Sequence, residues 1–411
     1  MKLEKNASVC MKALPFWMLP YTFYMYYLSL FLMEKGLTST QITLLMTVSN
    51  IISLVFSFVA SPIVDKLGRK NSLLVFDLLS SAVPAAIFLI SQNFVPALLA
   101  MGMTGLNRIM STAYYLVMVE DTSDRNSIDS MNMFNILTVV AGVATPLAGI
   151  IVSKLGIIRG EELFLMVSVV SMTTQAVIRH FFIEESSTGK EIRRAQEKSS
   201  FNNILQTYKG TTKAVFRSPK LLSAILVNAL MYVYYNLCTT TSLLFTPYFA
   251  NYRHLEGLVL SSIGAIYSVG TLFSMLVINP RISRATIYPY TFVAGLVSMV
   301  GFALILFCPA GNKVLLFCAV TLLAVSYGVL KSSSDAILAM ETGGEFGAGI
   351  YSFSFVLSAV FSILALQLME VLYAKSPNWL FGLSAIFVVA IILICLPNLS
   401  ISNKKGSKKN A

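Results

Sequence analysis

The stretch Ser61-Pro62-Ile63-Val64-Asp65-Lys66-Leu67-Gly68-Arg69-Lys70 decides how this chain is read. It is a short charged hinge between two apolar runs, residues 41–60 and 72–91. Three cations, one anion and one glycine are too few residues for a water-soluble insertion, so the two runs share one apolar medium. Composition says the same of the whole chain: of 411 residues, 56% are hydrophobic and only 12% charged. Soluble proteins carry about 25% charged residues, and half that share cannot cover a water-facing surface. Runs of about 20 apolar residues predict transmembrane helices. The alternating segments of about ten residues that mark a membrane barrel are absent from the sequence. The expected class is an all-α membrane protein.

The formal charge of +11 raises the question of nucleic acid, but the cations sit in alternate loops beside apolar spans and no basic-aromatic motif accompanies them, so no nucleic-acid partner is expected. Five scattered cysteines form neither a disulfide framework nor a zinc spacing. His180 and His254 flank spans without a partner motif, so no metal and no cofactor are expected. The first apolar segment is long and lacks a small-residue cleavage site, which reads as a retained helix and not a signal peptide.

Twelve spans follow from the apolar runs: 13–33, 41–60, 72–91, 95–118, 131–152, 163–183, 221–246, 259–278, 287–307, 314–340, 348–373 and 379–399. With the amino terminus inside, 21 loop cations fall on the inner side and 6 on the outer, which places both termini in the cytoplasm of a multi-pass plasma-membrane protein. The one long hydrophilic segment, 184–220, divides the chain six plus six. The expected organisation is therefore an N-terminal six-helix bundle over 1–183, a cytoplasmic linker over 184–220, a C-terminal six-helix bundle over 221–400 and a basic tail over 401–411. Within the linker, Phe201, Ile204, Leu205 and Tyr208 recur at helical spacing and predict an amphipathic helix on the inner leaflet. An internal repeat supports two halves. Val119-Glu120-Asp121-Thr122 ends span 4 as Met340-Glu341-Thr342 ends span 10, and Asn279-Pro280-Arg281-Ile282-Ser283-Arg284 stands where the charged hinge stands in the first half, without its aspartate.

Asp65, Lys66, Gly68, Arg69 and Lys70 match the loop between helices 2 and 3 of the major facilitator superfamily, which the hinge resembles; Ser61 replaces the pattern's leading glycine. The resemblance implies twelve helices in two six-helix bundles that rock about a central cavity. It also implies an inner gate in which Asp65 faces the start of helix 11, here Gly343-Gly344-Glu345-Phe346-Gly347, where the positive end of the helix dipole favours a carboxylate. Arg69 would join Glu120, Asp121 and Asp124 in the same network, with Gly68 and Asp77 beside it. Ala141 to Gly149 is similar in part to the glycine-proline motif of the family's drug/proton antiporters: Pro146 and Gly149 fit, while Ala141, Thr145 and Ile150 replace glycines.

Polar side chains inside spans are costly, so their spacing carries information. Trp17, Tyr21 and Tyr24 share one face of span 1, and Arg108, Ser111, Thr112 and Tyr115 share one face of span 4. Tyr232, Tyr235 and Asn236 lie on span 7, with Tyr327, Lys331 and Asp335 on span 10. Any one stripe is explained by helix–helix hydrogen bonds. Four stripes on every third span predict a polar, aromatic-lined substrate cavity, and the resemblance implies that these spans line it. Arg108 sits about 18 Å from Glu120 along its helix, near the midplane, as a substrate or coupling cation or as half of a structural pair. Lys331 and Asp335, one turn apart, are either a self-neutralising pair or, with Arg108, a proton-coupling site.

These residues point to a secondary transporter of a small organic solute, coupled to protons and expected as a monomer. Efflux of amphipathic or aromatic compounds leads, and uptake of a sugar or peptide, or flipping of a glycolipid, are the alternatives. No nucleophile–base constellation and no Gly-x-x-x-x-Gly-Lys-Ser/Thr loop occurs in the sequence, so neither an enzyme nor an ATP-driven pump is expected. A reporter fused after Ala411 should signal from the cytoplasm; an external signal would invert the topology.

Overall fold

The computed structural model describes residues 4–120, 124–187, 189–191, 212, 215–309, 311–341 and 347–407. Among them there is helix and no strand. The helices are α1 Lys5–Glu34, α2 Ser39–Leu67, α3 Arg69–Ile90, α4 Phe94–Thr104, α5 Asn107–Val119, α6 Asp124–Val143, α7 Thr145–Phe182, α8 Pro219–Cys238, α9 Gly257–Arg281, α10 Ile287–Leu306, α11 Lys313–Glu341, α12 Gly347–Lys375 and α13 Trp379–Ser407. Nine segments among the described residues are long and apolar enough to cross a membrane. One of these, Ile136–Phe182, covers 47 residues and kinks at Gly156, whose φ of 80° interrupts the helix. Each of the twelve expected spans coincides with helix, apart from short breaks near 105–106, 144 and 239–244.

Local chemistry sets the helix starts. Thr38 and Gln41 form a capping box that opens α2, the Thr38 hydroxyl accepting from the Gln41 N–H while Gln41 Oε1 accepts from the Thr38 N–H. Asn93 caps α4, and Ser218 caps α8 ahead of Pro219 in its first turn. Exposed positions carry large apolar side chains, among them Ile90, Val170, Phe181, Phe307 and Leu364.

The chain divides into two compact units, 1–203 and 204–411. In the first, α1 packs on α6 and α7, α2 on α4 and α5, and α3 on α5 and α7. In the second, α9 and α10 both pack on α11, and α8 packs on α11, α12 and α13. Close approach of α9 to α11 rests on small residues four apart. A Cβ on Gly270 would lie 2.7 Å from that of Ala324, and one on Gly328 would collide with Ser274 Oγ. Small residues let backbones approach where no water drives association. A tyrosine and phenylalanine core lies beside this contact, with Tyr327 5.5 Å from Tyr234 and 5.8 Å from Tyr267 between ring centroids.

Gly328→Leu should overpack the α9–α11 contact and cost about 1–3 kcal/mol or more. Thermal unfolding in detergent reads this as a lower midpoint, and an unchanged midpoint would contradict the contact.

Candidate functional site

The charged hinge is a single turn, and its geometry begins at Gly68. That residue has φ 87°, a conformation side chains disfavour, and a Cβ there would sit 2.7 Å from Glu185 Oε2. The space is used by the Glu185 carboxylate, which accepts from the Arg69 and Lys70 backbone N–H groups at 2.7 and 3.1 Å. Glu185 thereby caps the start of α3 from a distant part of the chain, satisfying donors that every helix start leaves open. Arg69 then turns inward and is 2% exposed. Its Nη1 pairs with Asp65 Oδ1 at 2.7 Å, while Nη2 and Nε grip the two oxygens of Glu120 at 3.1 and 3.2 Å. The Ser186 hydroxyl also donates to Glu120. Two acidic partners and a two-pronged grip are what a guanidinium withdrawn from water requires.

The segment following α7 is tied to α1 as well. Asn6 and Glu184 exchange two hydrogen bonds of 3.0 Å, and Lys5 pairs with the Glu184 carboxylate. The Lys5 hydrogen bond holds the Glu184 carboxyl below its usual range. That tether is present at neutral pH and is lost as the pH falls through the lowered value. The sequence reading assigned this segment to a linker and so missed Glu185 and Ser186. Their signal was present in Glu184-Glu185-Ser186, two acids at the end of a span, but nothing local names the loop they reach.

Asp77 does not join this network, contrary to its expected place beside the hinge. It is buried, and its Oδ2 accepts from Arg179 Nη2 at 2.9 Å. A π-turn, Leu78–Ala82, follows it and brings Ser81 round to donate to Asp77 Oδ1, while Trp17 Nε1 donates to Ser81 Oγ at 3.0 Å. Such turns recur at functional positions. Cys10 lies beside the pair, and the Tyr114 ring lies 5.6 Å from the Arg179 guanidinium. Arg179 was not singled out from the sequence because it stands near a span end, where a lone arginine reads as a membrane flank. Glu161, also passed over, is fully buried, and neither carboxyl oxygen has a hydrogen-bond partner.

The expected cavity residues separate into two groups. Trp17 and Tyr21 are half-buried and stacked at 4.6 Å, and Tyr115 is exposed. Arg108 is half-buried on α5, and its carbonyl accepts from Thr112. Tyr232, Tyr235 and Asn236 are half-buried on α8, the Asn236 amide donating to the Tyr232 carbonyl. Tyr24 and Tyr327 depart from the expectation. Tyr24 is wholly enclosed, because α1 is buried on all faces from residue 24 to 32, and Tyr327 belongs to the aromatic core of its own unit. Lys331 and Asp335 pair at 2.5 Å, with side chains 38% and 44% exposed. Asn228, unmarked in the sequence reading, donates to Asp335 Oδ1 and to Ser334 at 3.2 Å. Arg108 and Asp335, expected to share a site, lie in different units. Asp121, the glycine-rich run 343–346 and the amphipathic stretch 201–208 lie outside the described residues, as does the Asp124 side chain. No group of three or more His, Cys, Asp or Glu side chains is placed to hold a metal ion among the described residues.

A family model described as Major Facilitator Superfamily matches residues 16–362. No curated protein matches the chain in sequence. Solved structures that share its fold include the following two. The human organic anion transporter MFSD10 (TETRAN) superposes with a TM-score of 0.66 at 14% identity, covering 95% of this chain and 99% of its own. A bacterial homologue of the iron transporter ferroportin, in an inward-facing state, superposes with a TM-score of 0.68 at 12% identity, covering 97% and 99%.

Asp77→Asn removes the buried partner of Arg179 and should destabilise by about 3–5 kcal/mol. Glu161→Gln orphans no cation and should shift the unfolding midpoint far less. Thermal unfolding of the two variants side by side checks the contrast; equal losses would deny the Asp77–Arg179 pair its role.

Proposed function

The chain belongs to the Major Facilitator Superfamily, and from that premise we propose that it moves a small organic solute across a cell membrane by alternating access, as proton-coupled efflux of amphipathic or aromatic compounds. The observation that carries the alternating-access part is the enclosure of Arg69 by Asp65, Glu120 and the Glu185-capped start of α3. A buried cation with two acidic partners and a remote cap is stable while assembled and costly to separate, the property of a latch with two settings. Asp65, Gly68, Arg69 and Glu120 form that latch in this proposal, and Glu185 joins them.

Several residues support an organic, ring-bearing solute. The Trp17–Tyr21 stack, Tyr115, Tyr232 and Tyr235 remain wholly or partly exposed, and a flat ring binds well against such faces. Arg108 supplies a cation suited to a carboxylate or sulfonate on the same solute. A fold neighbour described as an organic anion transporter adds to this reading. In the proposal, protons enter at Asp335, whose bonds to Lys331 and Asn228 form a couple in which loss of one charge re-pairs the other.

Purified protein in liposomes under an imposed pH gradient, assayed with a proton-sensitive dye and a panel of aromatic anions and cations, tests the whole reading. The dye should respond only when a transported compound is present; transport indifferent to the gradient would sink the coupling. Asp65→Asn should lower turnover at least tenfold while destabilising less than Asp77→Asn, because Glu120 still pairs with Arg69. Asp335→Asn should keep substrate binding but uncouple transport from the imposed gradient. Coupling unchanged in that variant moves the proton site elsewhere and leaves Asp335 as the neutralising partner of Lys331.

A further inference from the structure

The loop between α9 and α10 occupies the place in the second unit that the charged hinge occupies in the first, but its cations meet a different fate. Arg69 is enclosed by two carboxylates. Arg281 and Arg284 pair with no carboxylate among the described residues, and the polar contact of Arg281 is the Val277 carbonyl of its own helix. Two cations without an ion pair among the described residues invite an anion from outside the chain.

The surroundings define which anion. Beside Arg284 lies a hollow of about 450 Å³, lined by Asn279, Ser283, Ser332 and Ser333 and walled by Ile282 and Met340. Ser333 is 1% exposed, and its hydroxyl has no hydrogen-bond partner. The Asn279 amide donates to Ser332 Oγ at 2.6 Å and to the Gly328 carbonyl, while Asn279 Oδ1 is buried and unbonded. Beside Arg281 lies a second hollow of about 380 Å³, lined by Val293, Ala294, Val297 and Val329. Both have the size of ligand sites. They follow one track, since Val329, Ser333, Ala336 and Met340 recur every three or four residues along α11. A polar, cationic end thus continues into an apolar groove along a membrane helix.

The geometry points to this cleft as a site for one anionic phospholipid. Its phosphate sits between Arg284, which lines the first hollow, and Arg281, which lines the second, and one acyl chain follows the valine-lined groove. Basic pockets between membrane helices suit anionic headgroups. A free phosphate would use the cations but leave the groove empty. A zwitterionic lipid would bring its own ammonium against the two guanidinium groups. The site is independent of which solute the protein carries and of its coupling ion.

Native mass spectrometry of the detergent-purified full chain, titrated with phosphatidylglycerol, tests it, with phosphatidylcholine and inorganic phosphate as the other arms. The wild type should retain one phosphatidylglycerol with clear preference over phosphatidylcholine, and inorganic phosphate should not displace it. Arg281→Ala with Arg284→Ala should weaken that lipid about thirty-fold, two interfacial cations acting together. Ala336→Leu, which narrows the hollow from an exposed lining position with both charges intact, should also lose it. Lys154→Ala with Arg159→Ala removes two cations elsewhere and should leave the retained lipid in place. Equal retention in the Arg281/Arg284 variant, equal loss in the Lys154/Arg159 variant, or displacement by inorganic phosphate each overturns the proposal. Thermal unfolding of every variant establishes that folded protein is being compared.

Discussion

A guanidinium taken out of water is the constraint on which the first half of this protein depends. Arg69 is buried at the turn between α2 and α3, and an unpaired cation there would cost several kcal/mol. Everything around it answers that cost. Asp65 comes from the end of α2, Glu120 from the end of α5, and Glu185 from the chain beyond α7. Gly68 is small enough for Glu185 to reach the helix start, and Gly189 is equally close, since a Cβ there would lie 2.8 Å from Arg69 Cδ. Any motion that parts these elements must find Arg69 new partners or water. The meeting of the ends of α2 and α5 with the chain beyond α7 therefore has one physical root.

The second half is held by different means. Its loop keeps arginines at 281 and 284 but no aspartate, and the described residues offer these arginines no carboxylate. Cohesion comes from small residues that bring α9 against α11 and from interlocking tyrosine and phenylalanine rings. Apolar packing of this kind is indifferent to charge, which releases the loop cations for a ligand outside the chain. One repeated pattern thus serves an internal ion pair in one half and an external partner in the other.

Between these extremes lie the polar groups inside each bundle. Asp77 of α3 and Arg179 of α7 neutralise one another, while Ser81 donates to the carboxylate and itself accepts from Trp17. Asn228 does the same for the Lys331–Asp335 pair from α8. In both cases a neutral side chain bonds a charged one. For the buried Asp77 this meets a lone pair that water cannot reach.

The sequence by itself determined the class, the helix positions and the charged hinge, because each is local. Span length is set by the thickness of hydrocarbon, helix starts by Thr38, Asn93 and Ser218, and the hinge by five residues within one turn. Helical spacing also placed Trp17 with Tyr21 and Lys331 with Asp335, since three or four residues of separation make neighbours on any helix. Only the tertiary structure decided what each face meets. Tyr24 and Tyr327 have the same periodicity as their exposed neighbours, yet one is sealed by the helices around α1 and the other joins an aromatic core. Arg179 finds Asp77 across 102 positions, and Glu185 finds the start of α3 across 116. Periodicity says which residues of one helix share a side; it carries no information about which other helix is packed there, and for a charge in a membrane that neighbour is what decides its role.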